Sequence, residues 1–207
     1  MELFATPNSP YARMPRIVTL EKGLGDRVTV ILAQTREADS PYYQINPSGR
    51  VPYLITDDGI GLEDSALICA YLDQLDGKPM FGRRNDETEW RGRRLEALAH
   101  SLLAGLAVWT REGYRPENER SPGIIDHERE RCRRLTEVWE SEIDDPHMQG
   151  DLSMAQIVLI CALQLEHTNT DIDWRPDRPR LVEWVDRLAT HPSISATLAT
   201  LDAHKAP

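Results

Sequence analysis

A chain of 207 residues with 40% apolar side chains is long enough to bury a real core, as one large domain or two small ones. Its formal net charge of −10, from 24 Lys and Arg against 34 Asp and Glu, excludes a general nucleic-acid or anionic-membrane binder, because neutralising phosphates needs an excess of cations. Neither part is basic: residues 1–78 carry seven basic and eleven acidic side chains, the remainder seventeen and twenty-three.

Leu3-Phe4-Ala5 is a short apolar strand with no basic segment or long apolar stretch around it, so no secretory signal is expected. The loop Thr6-Pro7-Asn8-Ser9-Pro10 follows, and its Ser-Pro end is the pair expected of an N-cap and a first helical position. The helix it opens has Met14, Ile17, Val18 and Leu20 near a 3.6-residue spacing and stops at Lys22-Gly23. Arg27 to Ala33 is a second strand, which makes a right-handed parallel βαβ unit. Residues 34–46 are polar, with a short helix near Tyr42-Tyr43.

Next comes Asn46-Pro47-Ser48-Gly49-Arg50-Val51-Pro52, whose last proline stands at a strand start. A cis Val51-Pro52 bond would turn the chain sharply and leave Val51 as the exposed neighbour, offering its N–H and C=O sideways to a bound peptide. Strands at roughly 53–56 and 60–63 pair through the Asp57-Asp58-Gly59 turn, which is no calcium loop. Asp64-Ser65 opens a helix running to about Leu75, and a polar pair at a helix start welcomes an anion.

After the breaking segment Asp76-Gly77-Lys78-Pro79 everything is helical. Leu95, Leu98, Leu102, Leu106 and Trp109 keep one helical face, and Cys132, Leu135 and Trp139 begin another. Ser153-Met154-Ala155-Gln156 has capping-box spacing ahead of Ile157 to Leu163, an all-round apolar run expected to form a buried central helix and far too short to span a bilayer. A further helix around Leu181, Trp184, Val185 and Leu188 ends at His191-Pro192, and the tail from Ser193 has room for one more. Arg91, Arg93 and Arg94, and again Arg129, Arg131, Arg133 and Arg134, look like basic patches, and the second set alternates with Glu128 and Glu130 as solvated helix faces do. Cys69, Cys132 and Cys161 lie far apart in apolar helical patterns without Cys-x-x-Cys, and read as reduced core residues of a cytoplasmic chain. The six histidines show no metal-ligand spacing, so no metal is expected.

Three anchors in this order, Ser9-Pro10-Tyr11-Ala12-Arg13, Asn46 to Pro52, and Glu63-Asp64-Ser65-Ala66-Leu67-Ile68-Cys69-Ala70-Tyr71-Leu72, resemble the soluble, cytosolic-type glutathione transferase superfamily, in the form of a bacterial-like member with a serine at the first helix. The resemblance implies an α/β thioredoxin-like N-terminal domain (βαβ-α-ββα, a mixed four-stranded sheet) at 1–78, a linker at 79–86, an all-helical domain at 87–207, a cis Pro52 and a homodimer. It also implies binding of glutathione, as substrate or cofactor, and of a small electrophile. Glutathione's γ-glutamyl ammonium needs an acceptor, which Asp64 supplies, and its α-carboxylate needs donors, which Ser65 and its helix N–H groups supply. Its extended middle pairs with the Val51 main chain beside Pro52, and Arg50 can hold the glycyl carboxylate. Ser9, at the positive end of the first helix, can donate to sulfur, with Asn8 or a backbone N–H as the other candidates. Lowering a thiol pKa by roughly two units needs about 3 kcal/mol, the order of one charge-assisted hydrogen bond plus a helix terminus.

The same resemblance implies that the start of the first helix and the end of the long helix face each other, which makes Tyr11, Arg13, Trp109, Arg111 and Tyr114 candidates to line the electrophile pocket. Conjugation, glutathione-dependent isomerisation, dehalogenation or ether cleavage, and a non-catalytic adaptor that binds a protein partner all remain open at this point.

Overall fold

The computed structural model describes residues 1–81 and 89–198, which fall into two compact units. The first holds residues 1–81 together with 196–198, and the second holds 89–195.

In the first unit the elements run β1 (Glu2–Ala5), α1 (Pro10–Glu21), β2 (Thr29–Leu32), α2 (Tyr42–Ile45), β3 (Tyr53–Ile55), β4 (Gly61–Glu63) and α3 (Ser65–Gln74). The sheet order is β2-β1-β3-β4, with β1 and β2 parallel and the other two pairs antiparallel. This is the expected mixed four-stranded, thioredoxin-like sheet. Alternation along the strands sends side chains to two faces. Leu3 and Leu54 pair on one face and are fully buried, as are Met14 and Ile17 of α1 and Ile68 and Leu72 of α3. On the other face Phe4, Ala33 and Tyr42 form a cluster joined by Val51 and Tyr53, with the Phe4 and Tyr42 rings 5.5 Å apart. Val51 is therefore half-buried against this cluster, and not the exposed neighbour that the sequence suggested.

Local chemistry ends each helix. In α1 the chain leaves at Lys22, and Gly23 at φ 62° lets the N–H of Leu24 reach back to the Thr19 carbonyl. Beyond α3 the Asp73 carboxylate accepts from the N–H groups of Met80 and Phe81, while Lys22 Nζ donates to Asp76 at 2.9 Å and to the Lys78 carbonyl at 2.6 Å. The expected linker at 79–86 thus has its second and third residues tied to α3, and residues 82–88 and 199–207 lie outside the described ones.

The second unit is helical: α4 (Glu89–Gly113), α5 (Pro122–Glu142), α6 (Met154–Leu163) and α7 (Pro179–Ala189); a short α8 (Pro192–Thr197) follows, whose last two residues belong to the first unit. As the uniform apolarity of 157–163 implied, every residue from Ala155 to Leu163 is buried, and α6 packs chiefly on α4. Gly105 lets α5 approach α4, since a Cβ there would stand 2.6 Å from Glu128 Oε2. The arginines of these helices pair with acids, as Arg94 does with Glu142 and Arg133 with Glu130.

One expectation is corrected. Ser153 Oγ does accept from the Gln156 N–H, but the Gln156 side chain does not return to close a capping box. Its Nε2 donates to the carbonyls of His147, Gln149 and Asp151, because the preceding loop folds over the helix start and presents three backbone acceptors there. No helix among the described residues is long and apolar enough to cross a membrane.

Candidate functional site

The register of the sheet draws three separated segments to one end. Phe4, Tyr53 and Glu63 make the last paired row across β1, β3 and β4. One step further, Ala5 and Asp64 flank Pro52, so the loop 6–9, the Val51–Pro52 peptide and the Asp64–Ser65 pair all leave the same edge. The Val51–Pro52 bond is cis.

Ser9 is the N-cap of α1: its Oγ accepts from the Ala12 N–H at 3.1 Å. That bond uses one acceptor site and leaves the hydroxyl proton uncommitted to any described residue. Asn8, the neighbour named as an alternative, has its Oδ1 buried without a hydrogen-bond partner among the described residues.

Asp64 is the N-cap of α3 and accepts from the Ala66 N–H at 2.8 Å. Its φ of 79° is a conformation that non-glycine residues rarely adopt and that costs of order 1–3 kcal/mol. The carboxylate is solvent-exposed, whereas Ser65 beside it is buried at the first turn of α3. A strained, exposed acid beside a buried hydroxyl and free helix N–H groups can receive an ammonium and a carboxylate held side by side.

The loop between α2 and β3 is held by its own polar atoms. Tyr42 Oη donates to the Arg50 carbonyl at 2.5 Å, Asn46 Nδ2 donates to the same carbonyl at 3.0 Å, and Asn46 Oδ1 accepts from the Ser48 N–H. Ser48 Oγ donates to the Glu63 carboxylate, which ties this loop to the end of β4. Gly49 sits at φ 65°, and a Cβ there would meet Tyr43 Cε1 at 2.7 Å. Arg50 itself is exposed.

Neither Tyr42 nor Asn46 is among the site residues expected from sequence. The signal for Asn46 was present, since Asn-Pro-x-Gly is the pattern of a side chain that caps its own turn. Tyr42 and the Ser48–Glu63 bond had no local signal.

Among the expected electrophile-pocket residues, Tyr11 is half-buried in the first turn of α1, while Arg13 is buried with Nε donating to Thr197 Oγ1 at 3.2 Å. In the second unit Trp109 is 3% exposed, with the Arg129 guanidinium 5.5 Å from its ring centroid. Arg111 and Tyr114, at the end of α4, are exposed. All three cysteines are buried and outside any disulfide, and burial pushes the Cys132 thiol up to about 12. Among the described residues no three His, Cys, Asp or Glu side chains are grouped to hold a metal ion.

An α/β unit of thioredoxin type, with a cis-proline loop beside two helix N-termini and an all-helical partner unit, defines the class of protein. The pattern of the glutathione S-transferase N-terminal domain matches residues 8–75. YibF, a GST-like protein of Escherichia coli K12, is 31% identical over 199 residues, covering 95% of this chain and 98% of its own. A glutathione transferase family member from Pseudomonas fluorescens Pf-5 is 32% identical and covers 95% of this chain and 98% of its own. Its crystal structures with bound glutathione and with bound S-(propanoic acid)-glutathione superpose with TM-scores of 0.83 and 0.82. The chain therefore belongs to the glutathione S-transferase superfamily.

Proposed function

We propose that this protein binds glutathione and presents it as a thiolate to a small electrophile. The observation that carries the reading is the meeting of Ser9, the Val51 main chain and Asp64-Ser65 at one end of the sheet. In this reading Asp64 accepts from the γ-glutamyl ammonium, and Ser65 with the α3 N–H groups holds the α-carboxylate. Val51 pairs with the extended middle of the tripeptide and Arg50 attends the glycyl carboxylate.

Sulfur then lies toward the start of α1, where the Ser9 hydroxyl donates while its oxygen still caps the helix. The thiol proton leaves to solvent, so Ser9 stabilises the thiolate without acting as a base. The thiolate attacks an electrophilic carbon, and as the carbon–sulfur bond forms the carbon–leaving-group bond breaks and the leaving group departs as an anion with its electron pair. Binding of a glutathione that carries a propanoic acid on its sulfur by the Pseudomonas fluorescens relative supports sulfur as the reacting atom. Residues 1–78 form the glutathione domain in this proposal, 79–86 the connection and 87–207 the helical domain. The working form is a homodimer in the cytoplasm, where three buried thiols outside any disulfide stay reduced.

Calorimetry tests the reading: heat of binding is expected at millimolar glutathione, and none sinks it. The variant Ser9→Ala is expected to keep binding and lose most turnover on a chromogenic electrophile. Equal turnover would move the thiolate donor to Asn8 or to a backbone N–H.

A further inference from the structure

Resting on that reading of the site, we propose that Tyr42 and Asn46 are positioning residues that aim the Val51 N–H at the bound peptide by holding the Arg50 carbonyl from behind. The Arg50 carbonyl and the Val51 N–H belong to one peptide unit. That unit is planar and trans, so its C=O and N–H point in opposite directions. Whatever holds the carbonyl therefore sets the direction of the amide.

Here the carbonyl is held twice, by Tyr42 Oη at 2.5 Å and by Asn46 Nδ2 at 3.0 Å, which occupies both of its acceptor sites. Both donors are anchored. Tyr42 and Asn46 are 3% and 2% exposed, the Tyr42 ring packs on Phe4 of β1, and Asn46 Oδ1 is engaged by the Ser48 N–H. The preceding peptide unit, Gly49–Arg50, is steadied as well, since Ser48 Oγ accepts from the Arg50 N–H at 3.2 Å. The Val51 N–H points away from this bracket and has no hydrogen-bond partner among the described residues. Burial lifts the Tyr42 phenol above its ordinary range, against the lowering effect of Asn46, so it remains a donor throughout the working pH range.

A turn that needed only to be stable has no use for two buried donors on one carbonyl beside an unpaired amide. A turn that must offer that amide in a single direction does, because the entropy of orienting it is then spent at folding and not at binding.

The test compares two ligands by calorimetry, S-methylglutathione and its analogue with a methylene in place of the cysteinyl carbonyl, on the wild type, Tyr42→Phe and Asn46→Ala. The wild type is expected to prefer the carbonyl-bearing ligand, and each variant to reduce that preference about fivefold, the effect of one net hydrogen bond, while affinity for the methylene analogue holds. Tyr42→Phe keeps the ring against Phe4, so its fold is expected to survive. An unchanged preference in both variants, or an equal loss on both ligands, overturns the proposal. Failure of the wild type to bind either ligand overturns instead the underlying reading of the site.

Discussion

The charge on Asp64 offers the sharpest test of how the site selects its ligand. Asn in its place keeps the shape, caps a helix as well as Asp does, and tolerates a positive φ better than most residues, so the bond to the Ala66 N–H at 2.8 Å and the φ of 79° both survive. What Asp64→Asn removes is the charge that attracts an ammonium. A hydrogen bond to a charged group contributes about 1.5–3 kcal/mol. Since Asp64 is solvent-exposed, the lower end applies, about 1.5 kcal/mol or roughly tenfold in Kd.

The assay is a double cycle by calorimetry: wild type and Asp64→Asn, each with glutathione and with glutathione lacking its γ-glutamyl amino group. The wild type is expected to prefer glutathione about tenfold and the variant not to discriminate, with the melting temperature moved by no more than about 2 °C. An equal weakening on both ligands, or none on either, would refute the assignment of the ammonium to Asp64. Asp64→Gly adds a contrast. Losing the Cβ relieves of order 1 kcal/mol or more of backbone strain, so this variant is expected to melt no lower than the wild type while binding glutathione more weakly.

Further expectations concern thiols, acid and the turn. No cysteine is expected to react with a disulfide reagent at pH 8 in the native protein, and all three on denaturation, because each is buried and the Cys132 thiol titrates at about 12; a native thiol titre of one or more contradicts this. Burial pushes the Asp145 carboxyl up, but the backbone and ring N–H groups of His147 and the Arg91 guanidinium outweigh it and leave the group below its ordinary value. A lowered folded-state pKa contributes stability that is present above the unfolded value, about 3.9, and is lost as pH falls through the folded one. Asp145→Asn is therefore expected to cost about 2 kcal/mol near neutrality and to approach the wild type progressively as pH falls from about 4 through the lowered folded value, as followed by denaturant melts; a constant gap across pH contradicts it. Gly49→Ala is expected to cost about 1–2 kcal/mol, because φ is 65° and the new Cβ must displace the Tyr43 ring; thermal melting reads the loss, and an unchanged midpoint shows that the loop relaxes freely.

Features that span three or four residues were legible along the chain. Ser9, Asp64 and Ser153 each cap a helix through a bond to an N–H two or three residues on, a geometry set by short-range backbone reach. The unbroken apolarity of 157–163 implied a helix with no solvent face, since no polar residue was available to form one. Edge strand β2 misleads by the same logic: its apolar Val30 and Leu32 are exposed, because no further strand covers that side of the sheet and a periodic pattern carries no knowledge of strand order.

Long-range partners had to await the fold. That Tyr42 and Asn46 share one carbonyl, that Ser48 reaches Glu63, and that Gln156 spends its amide on the loop behind it all depend on distances between segments. The burial of Arg13, a charged side chain in the first turns of α1, depends on which neighbours close over it. Residue type and spacing specify local hydrogen bonds because the chain cannot stretch far within a turn; which face a side chain meets is specified only once strand register and helix packing bring distant residues together.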